Sequence, residues 1–231
     1  MKQAGKKPST ALMPRKRPVQ GRSRLTIERI LEGAQDVMRK QGVRAVTTHA
    51  IAAASGANIA SIYQYFPNKE AIIQALYEQK LVSIRAKLQE LSLSLDVSDW
   101  KNEVYRFVFA VKRYEEQIGF DRTIIEATQY YALLEETWRA HADHIAVSIS
   151  QLIRRIGSKW SDKALYDLAV YIYSLSAATW SFWRLREPEH DIGLHRQAVA
   201  TVALFATAIE TDAEVRLSDL PGTESKRKRP K

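Results

Sequence analysis

Between Thr26 and Arg39 the apolar residues Ile27, Ile30, Leu31, Ala34, Val37 and Met38 recur at spacings of three and four, the period of one helix face. Thr26 is placed to cap this helix, Glu28 suits its first turn, and Arg39, Lys40 and Gly42 mark its end. The same period returns in Tyr77, Leu81, Ile84, Leu88 and Leu91, which predict a long helix beginning near Asn68. Further helices are predicted over Val104, Phe107, Val108 and Val111 after a Ser98-Asp99 cap, over Ile124, Thr128 and Tyr131, and from Trp138 through Ile145, Ile149 and Leu152 to Ile156. Ser161-Asp162 opens the penultimate long helix, and Gly193 is expected to precede the last. No stretch alternates with period two for long enough to make a strand, so the expected fold class is all-α.

Two short pieces, Thr48 to Ala54 and Asn58 to Tyr65, lie between the first helix and the long one, joined by Ser55-Gly56-Ala57. This is a helix-turn-helix layout. Gly56 permits the positive φ of the tight turn, Ile51 and Ala52 are expected to face the first helix, and Ile62 and Phe66 to close a small core. The second piece then offers Ile59, Ala60, Ser61, Tyr63, Gln64 and Tyr65 outward, small near its start and aromatic or amide later. Such a surface fits a major groove: small residues allow close approach, N-terminal amides meet phosphate, and Gln64 can read a base edge.

Charge sharpens this picture. The formal net charge of +9 sits in the ends: residues 1 to 24 hold eight basic residues and no acid, and residues 222 to 231 hold five basic and one acid. What lies between has 22 basic and 25 acidic residues, so a basic arm on a near-neutral globule points to a polyanion at the arm. The absence of Cys removes disulfides, thiolate metal sites and Cys nucleophiles, and fits a reducing, cytoplasmic setting. The N-terminus, with Pro8, Pro14 and Pro18 among Lys and Arg, has no apolar stretch to serve as a secretory signal. The longest charge-free runs, Leu168 to Trp183 and Gln197 to Ile209, are too short to span a bilayer and are expected to be helices buried on nearly every side. No proline falls between Asn68 and Glu187, so helices can run long there. No two glycines are closer than nine positions, which excludes the P-loop and the dinucleotide fingerprint.

The run TIERILEGAQDVMRKQGVRAVTTHAIAAASGANIASIYQYFPNKEAIIQALY resembles the N-terminal DNA-binding domain of TetR-family transcriptional repressors. The likeness spans roughly residues 24 to 77 and includes Gly42, the Thr47-Thr48 pair, Ile51-Ala52, Gly56, Tyr63-x-Tyr65-Phe66 and Asn68-Lys69-Glu70. It implies that Thr48, Ala60, Ser61, Tyr63, Gln64 and Tyr65 face DNA and that Lys69 meets phosphate. Asn58 stands where the family often has Ser, Ala60 where it often has Gly, and His49 where a basic residue is common. Arg22 and Arg24, just before the first predicted helix, are candidates for phosphate or minor-groove contact.

The resemblance also implies four parts: a disordered basic arm over 1–23, a three-helix helix-turn-helix domain over 24–70, a larger helical effector-binding and dimerisation domain over 71–215, and a disordered basic tail over 216–231. The expected function is a repressor that binds a palindromic operator as a dimer and is released by a small molecule. An architectural or effector-independent DNA-binding protein stays open as the alternative. For the dimer interface the last two helices offer Ala177, Ala178, Val199, Val202 and Ala206. Of the 21 aromatic residues, 17 follow residue 99, and Phe107, Tyr130, His144, Tyr171 and Trp180, each on an inward stripe or beside a polar residue among apolar ones, are expected to line a pocket for an apolar or aromatic effector.

His141 and His144 flank Asp143 at helical spacing, and Glu187, Glu189, His190, Asp191 and His195 form a second patch; both read better as helix surface and charged loop than as metal sites. With no G-x-S-x-G or H-E-x-x-H sequence, no enzyme, cofactor or metal is expected.

Overall fold

The computed structural model describes residues 21–183 and 190–211, so the basic arm and tail and the loop residues Glu187 and Glu189 lie outside the described residues. Among the described residues the chain is helical without strands: α1 Gly21–Gln41, α2 Thr48–Ser55, α3 Ile59–Tyr65, α4 Lys69–Ser94, α5 Trp100–Gln117, α6 Arg122–Tyr130, α7 Leu134–Ile156, α8 Asp162–Trp183 and α9 His190–Glu210. Short 3₁₀ turns at Val43–Ala45 and Val97–Asp99 precede α2 and α5.

Two helix starts differ from expectation. Among the described residues α1 is already helical at Gly21, so Thr26 sits inside it rather than at its cap, and Arg22 and Arg24, expected just before the first helix, lie within it. The cap fails because Arg22, Arg24 and Leu25 are good helix formers and nothing between Gly21 and Thr26 breaks the helix. Likewise α9 starts at His190, which puts Gly193 inside it, buried.

The chain divides into two compact units that do not follow its order: Met1–Lys87 with Lys112–His141, and Leu88–Val111 with Ala142–Lys231. In the first unit, α1 buries Ile30, Leu31, Ala34, Val37 and Met38 and packs on α2, which in turn contacts α3. In this unit α6 touches α1 and the Val43–Ala45 turn. The turn before α6 is held from two sides, because Gln35 of α1 donates to the Gly119 carbonyl and Lys80 of α4 to the Ile118 carbonyl. Gly119 has φ +72, the left-handed region that favours glycine.

Asp121 caps α6, accepting from Thr123 N at 3.0 Å, and pairs with Arg39 Nε at 2.5 Å. Burial alone would raise the Asp121 carboxyl, but hydrogen bonds from Thr123 and Arg39 outweigh it and hold its pKa below the usual carboxylate range. A carboxyl depressed in the folded state contributes stability above its unfolded pKa and loses it as pH falls through the folded value. Thermal melts should therefore show the parent protein losing melting temperature from about pH 4 downward, with Asp121→Asn losing less over the same window.

In the second unit Leu95, Val104, Leu152, Ile153, Trp160, Leu165, Ile172 and Phe205 form one apolar cluster, and Val108, Leu194 and Ala198 a smaller one beside Tyr105 and Phe109. Its loops are fastened to helix ends: Ser158 Oγ donates to the Ala208 carbonyl, and Trp160 Nε1 to the Thr211 carbonyl at 3.1 Å. By length and composition Ile192–Glu210 reaches the apolarity of a membrane span, which the shorter charge-free run from Gln197 did not. Of that apolar window 39% is buried within the chain.

Candidate nucleic-acid interface

Both short helices start on a side-chain cap, and α2 ends on a glycine. Thr47, extended at φ −134°, accepts from Ala50 N through its hydroxyl at 3.0 Å and starts α2. Gly56 ends α2 in the left-handed region at φ +65°. Asn58 Oδ1 then accepts from Ala60 N at 2.8 Å and starts α3, so Asn performs the capping task that Ser would. Asn68 Oδ1 does the same for α4, accepting from Ala71 N at 2.8 Å.

Behind α3 the anchoring is apolar: Ile51, Ile62 and Phe66 are all buried. That leaves Ala60, Tyr63 and Gln64 exposed, with Ile59, Ser61 and Tyr65 half-buried. Of the two tyrosines, Tyr63 is the outward one, 43% exposed. Its hydroxyl lies 3.3 Å from Thr48 Oγ1, so α2 and α3 present these two groups together. His49 is exposed beside them on α2. Lys69 has a second task, because its Nζ donates to the Val46 carbonyl at 3.1 Å and so braces the segment that leads into α2.

Residues 30–76 match the family described as bacterial regulatory proteins, tetR family. The chain carries the tetR-family helix-turn-helix domain. No curated protein matches the sequence. Solved structures share the fold across nearly their whole length. A TetR-family transcriptional regulator from Streptomyces coelicolor is 16% identical, covers 80% of this chain and 99% of its own, with a TM-score of 0.58. The fatty acid degradation regulator FadR of Bacillus halodurans is 16% identical, covering 83% and 96%, at 0.60. SmeT, the repressor of the Stenotrophomonas maltophilia multidrug efflux pump SmeDEF, is 19% identical, covering 80% and 91%, at 0.56; SmeT has also been seen as a triclosan complex. At these identities the likeness is one of fold, and it extends the tetR-family architecture beyond the matched segment.

Two contacts next to this tetR-family domain carry no motif. Arg44 donates to the Tyr130 hydroxyl and lies over its ring, 5.0 Å from the centroid, tying the turn before α2 to the end of α6. Gly33, midway along α1 and buried, faces Ser55 at the end of α2. The signal for Gly33 was present, since a glycine inside a helical apolar pattern marks close backbone approach.

The expected effector residues are not gathered on inward stripes. Tyr130 belongs to the first unit and is exposed, held by Arg44; His144 and Tyr171, in the second, are exposed, and Phe107 is half-buried. They point outward because α6, α7 and α8 bury their other faces: Ile124 and Ala127, Ile145 and Ala146, and Ile172. The Trp180 side chain lies outside the described residues. His141, by contrast, is buried, with Arg85 Nη1 at 3.4 Å from its Nδ1. Among the described residues no group of three His, Asp or Glu could hold a metal ion.

In the second unit α8 and α9 pack on each other, yet they are not buried on nearly every side. Tyr171, Ser174 and Ala178 of α8 and Ile192, Val199 and Ala203 of α9 are exposed, while Ala177, Val202 and Ala206 are half-buried. A groove of about 250 Å³ runs between the helices past Leu175, Ser176, Thr179, Gln197 and Leu204. At its floor Gln197 Nε2 donates to Ser176 Oγ at 2.6 Å.

Proposed function

We propose that the chain is a ligand-responsive repressor that binds a palindromic duplex operator as a homodimer and lets go when a small apolar or aromatic molecule binds. The observation that carries this reading is α3, which stands on a buried three-residue anchor within the tetR-family segment and turns Ala60, Tyr63 and Gln64 to solvent. In this reading Thr48, Ser61, Tyr65, His49 and Asn58 surround that face and Arg24 and Lys69 supply cations for the DNA backbone, while the Arg22 side chain lies outside the described residues. A single recognition helix reads only a few base pairs, so a two-fold protein on a two-fold site is the arrangement that reaches useful specificity.

The exposed apolar stripe of α8 and α9 supports the dimer, because Tyr171, Ala178, Ile192, Val199 and Ala203 leave a face that a second copy would cover. Small-molecule release is supported by SmeT, a repressor seen with triclosan. A ligand acts here by binding one conformer better than another: it favours spacings of the two α3 helices that miss successive major grooves, and α4 is the mechanical link.

Binding measured on duplexes of known sequence separates the contributors. Gln64→Ala should change the preferred base at one position per half-site, whereas Lys69→Ala and removal of residues 1–21 should weaken binding across all sequences. With roughly three to five ionic phosphate contacts per half, log affinity should fall by about 5 to 9 per log unit of salt. A Gln64→Ala protein with unaltered base preference would remove α3 as the reading helix. A slope near zero would remove DNA as the ligand.

A further inference from the structure

Tyr77 is 1% exposed on the first stretch of α4, and its hydroxyl has no hydrogen-bond partner. One turn earlier, Gln74 donates through Nε2 to Glu78 Oε1 at 3.4 Å, and this leaves its buried Oε1 without a partner too. Positions three apart share a helix face, so two uncompensated polar atoms lie along one side of α4. A buried polar atom left unpaired costs stability, and Phe would fill the place of Tyr77 without that cost. Folding therefore does not account for the hydroxyl.

The neighbourhood is aromatic. The rings of Phe120 and Trp138 lie 6.4 and 6.5 Å from that of Tyr77, tilted by 39° and 43°, and the buried His141 ring lies 5.8 Å from Trp138. The two Tyr77 contacts are at the loose end of aromatic packing, about 4.5–7 Å, and neither is stacked nor edge-on. Burial pushes the Tyr77 phenol pKa up, so it stays a neutral O–H donor.

We propose that Gln74, Tyr77, Phe120, Trp138 and His141 form the effector site, and that it takes a neutral planar aromatic molecule carrying one hydroxyl group. This deepens the ligand-responsive reading above and rests on it for its regulatory meaning, while the binding itself needs no DNA. One hydroxyl can both donate and accept, which suits a pair made of a carbonyl oxygen and a phenol O–H. To bind, the ligand's ring parts the Tyr77, Phe120 and Trp138 rings and takes a stacking place among them. An anion would set its charge against the Gln74 carbonyl oxygen.

Calorimetric titration of the full chain, without DNA, tests the site with phenol, 2-naphthol and 2-methoxynaphthalene, the last of which cannot donate. Saturable binding of 2-naphthol is expected, at least about tenfold tighter than 2-methoxynaphthalene. Tyr77→Phe should weaken 2-naphthol about tenfold. Without probe, the same variant should melt about 2–4 °C higher, because the unpaired hydroxyl is gone. Absence of saturable binding by both phenol and 2-naphthol overturns the proposal, as does 2-naphthol affinity indifferent to Tyr77→Phe. A lower melting temperature in Tyr77→Phe also overturns it, since the hydroxyl would then have a structural partner such as a buried water. Failure here leaves operator binding untouched, whereas failure to bind any duplex with 2-naphthol binding intact would count against the regulator reading alone.

Discussion

Gly33→Val is expected to lower stability by about 3 kcal/mol and to abolish operator binding. A Cβ on Gly33 would lie 2.7 Å from Ser55 Cβ and 2.9 Å from Ser55 N. The second of these is backbone at the end of α2 and cannot swing aside. Relief requires α1 and α2 to part, and Ser55 Oγ, which accepts from Ala57 N at 3.2 Å, shapes the turn that aims α3. Even Gly33→Ala should cost about 2 kcal/mol, although alanine gains about 1 kcal/mol in helix propensity, because the clash outweighs that gain. Gly42→Ala is the control. Its φ of +87° and ψ of 163° lie in a region nearly exclusive to glycine but nothing lies within 4 Å, so only the backbone conformation is strained and about 1–3 kcal/mol is expected. Urea denaturation of the three variants checks these values. A Gly33→Ala protein as stable as its parent would contradict the close α1–α2 approach.

The second large effect belongs to the proposed dimer face. Val199 is 50% exposed and Ala178 is exposed, so arginine at either position leaves the single chain's packing intact. Across a two-fold interface the same substitution puts two unpaired cations into an apolar contact. Val199→Arg and Ala178→Arg should therefore sediment as monomers at micromolar concentration with unchanged helix content. Each half-site is then bound without its linked neighbour, and operator affinity should fall by about 10² to 10⁴. Ala206→Arg is less clean, since Ala206 is half-buried and the change disturbs α8–α9 packing as well. An unchanged dimer mass in Val199→Arg and Ala178→Arg would place the interface elsewhere.

Local sequence rules carried far at the N-terminal domain because its devices are local. Thr47, Gly56, Asn58 and Asn68 act on backbone groups one to three residues away, so their roles follow from residue type and spacing. Ile62, on the apolar side of a seven-residue helix, and Phe66, the residue that caps its end, were readable for the same reason. The start of α1 was misread because Thr26 is a good cap only where the helix has not already begun. The clasp of Gln35 on Gly119 and Arg39 on Asp121 joins residues more than eighty positions apart, and Arg44 on Tyr130 likewise. No periodicity links such pairs. Aromatic side chains were the least legible: Tyr130, His144 and Tyr171 carry apolar or ring surface and yet face outward, while Tyr77 and His141 are buried. Residue type alone does not say which face of a helix finds a neighbour.

A two-fold pair of these chains is expected to read DNA through α3. Selection of bound duplexes from a random-sequence pool, with the full chain at micromolar concentration, is the test. An inverted repeat should be enriched whose half-sites lie about one helical turn apart or a multiple of it, with one position per half-site shifted by Gln64→Ala. An asymmetric consensus, or a pool that emerges without enrichment, would contradict it.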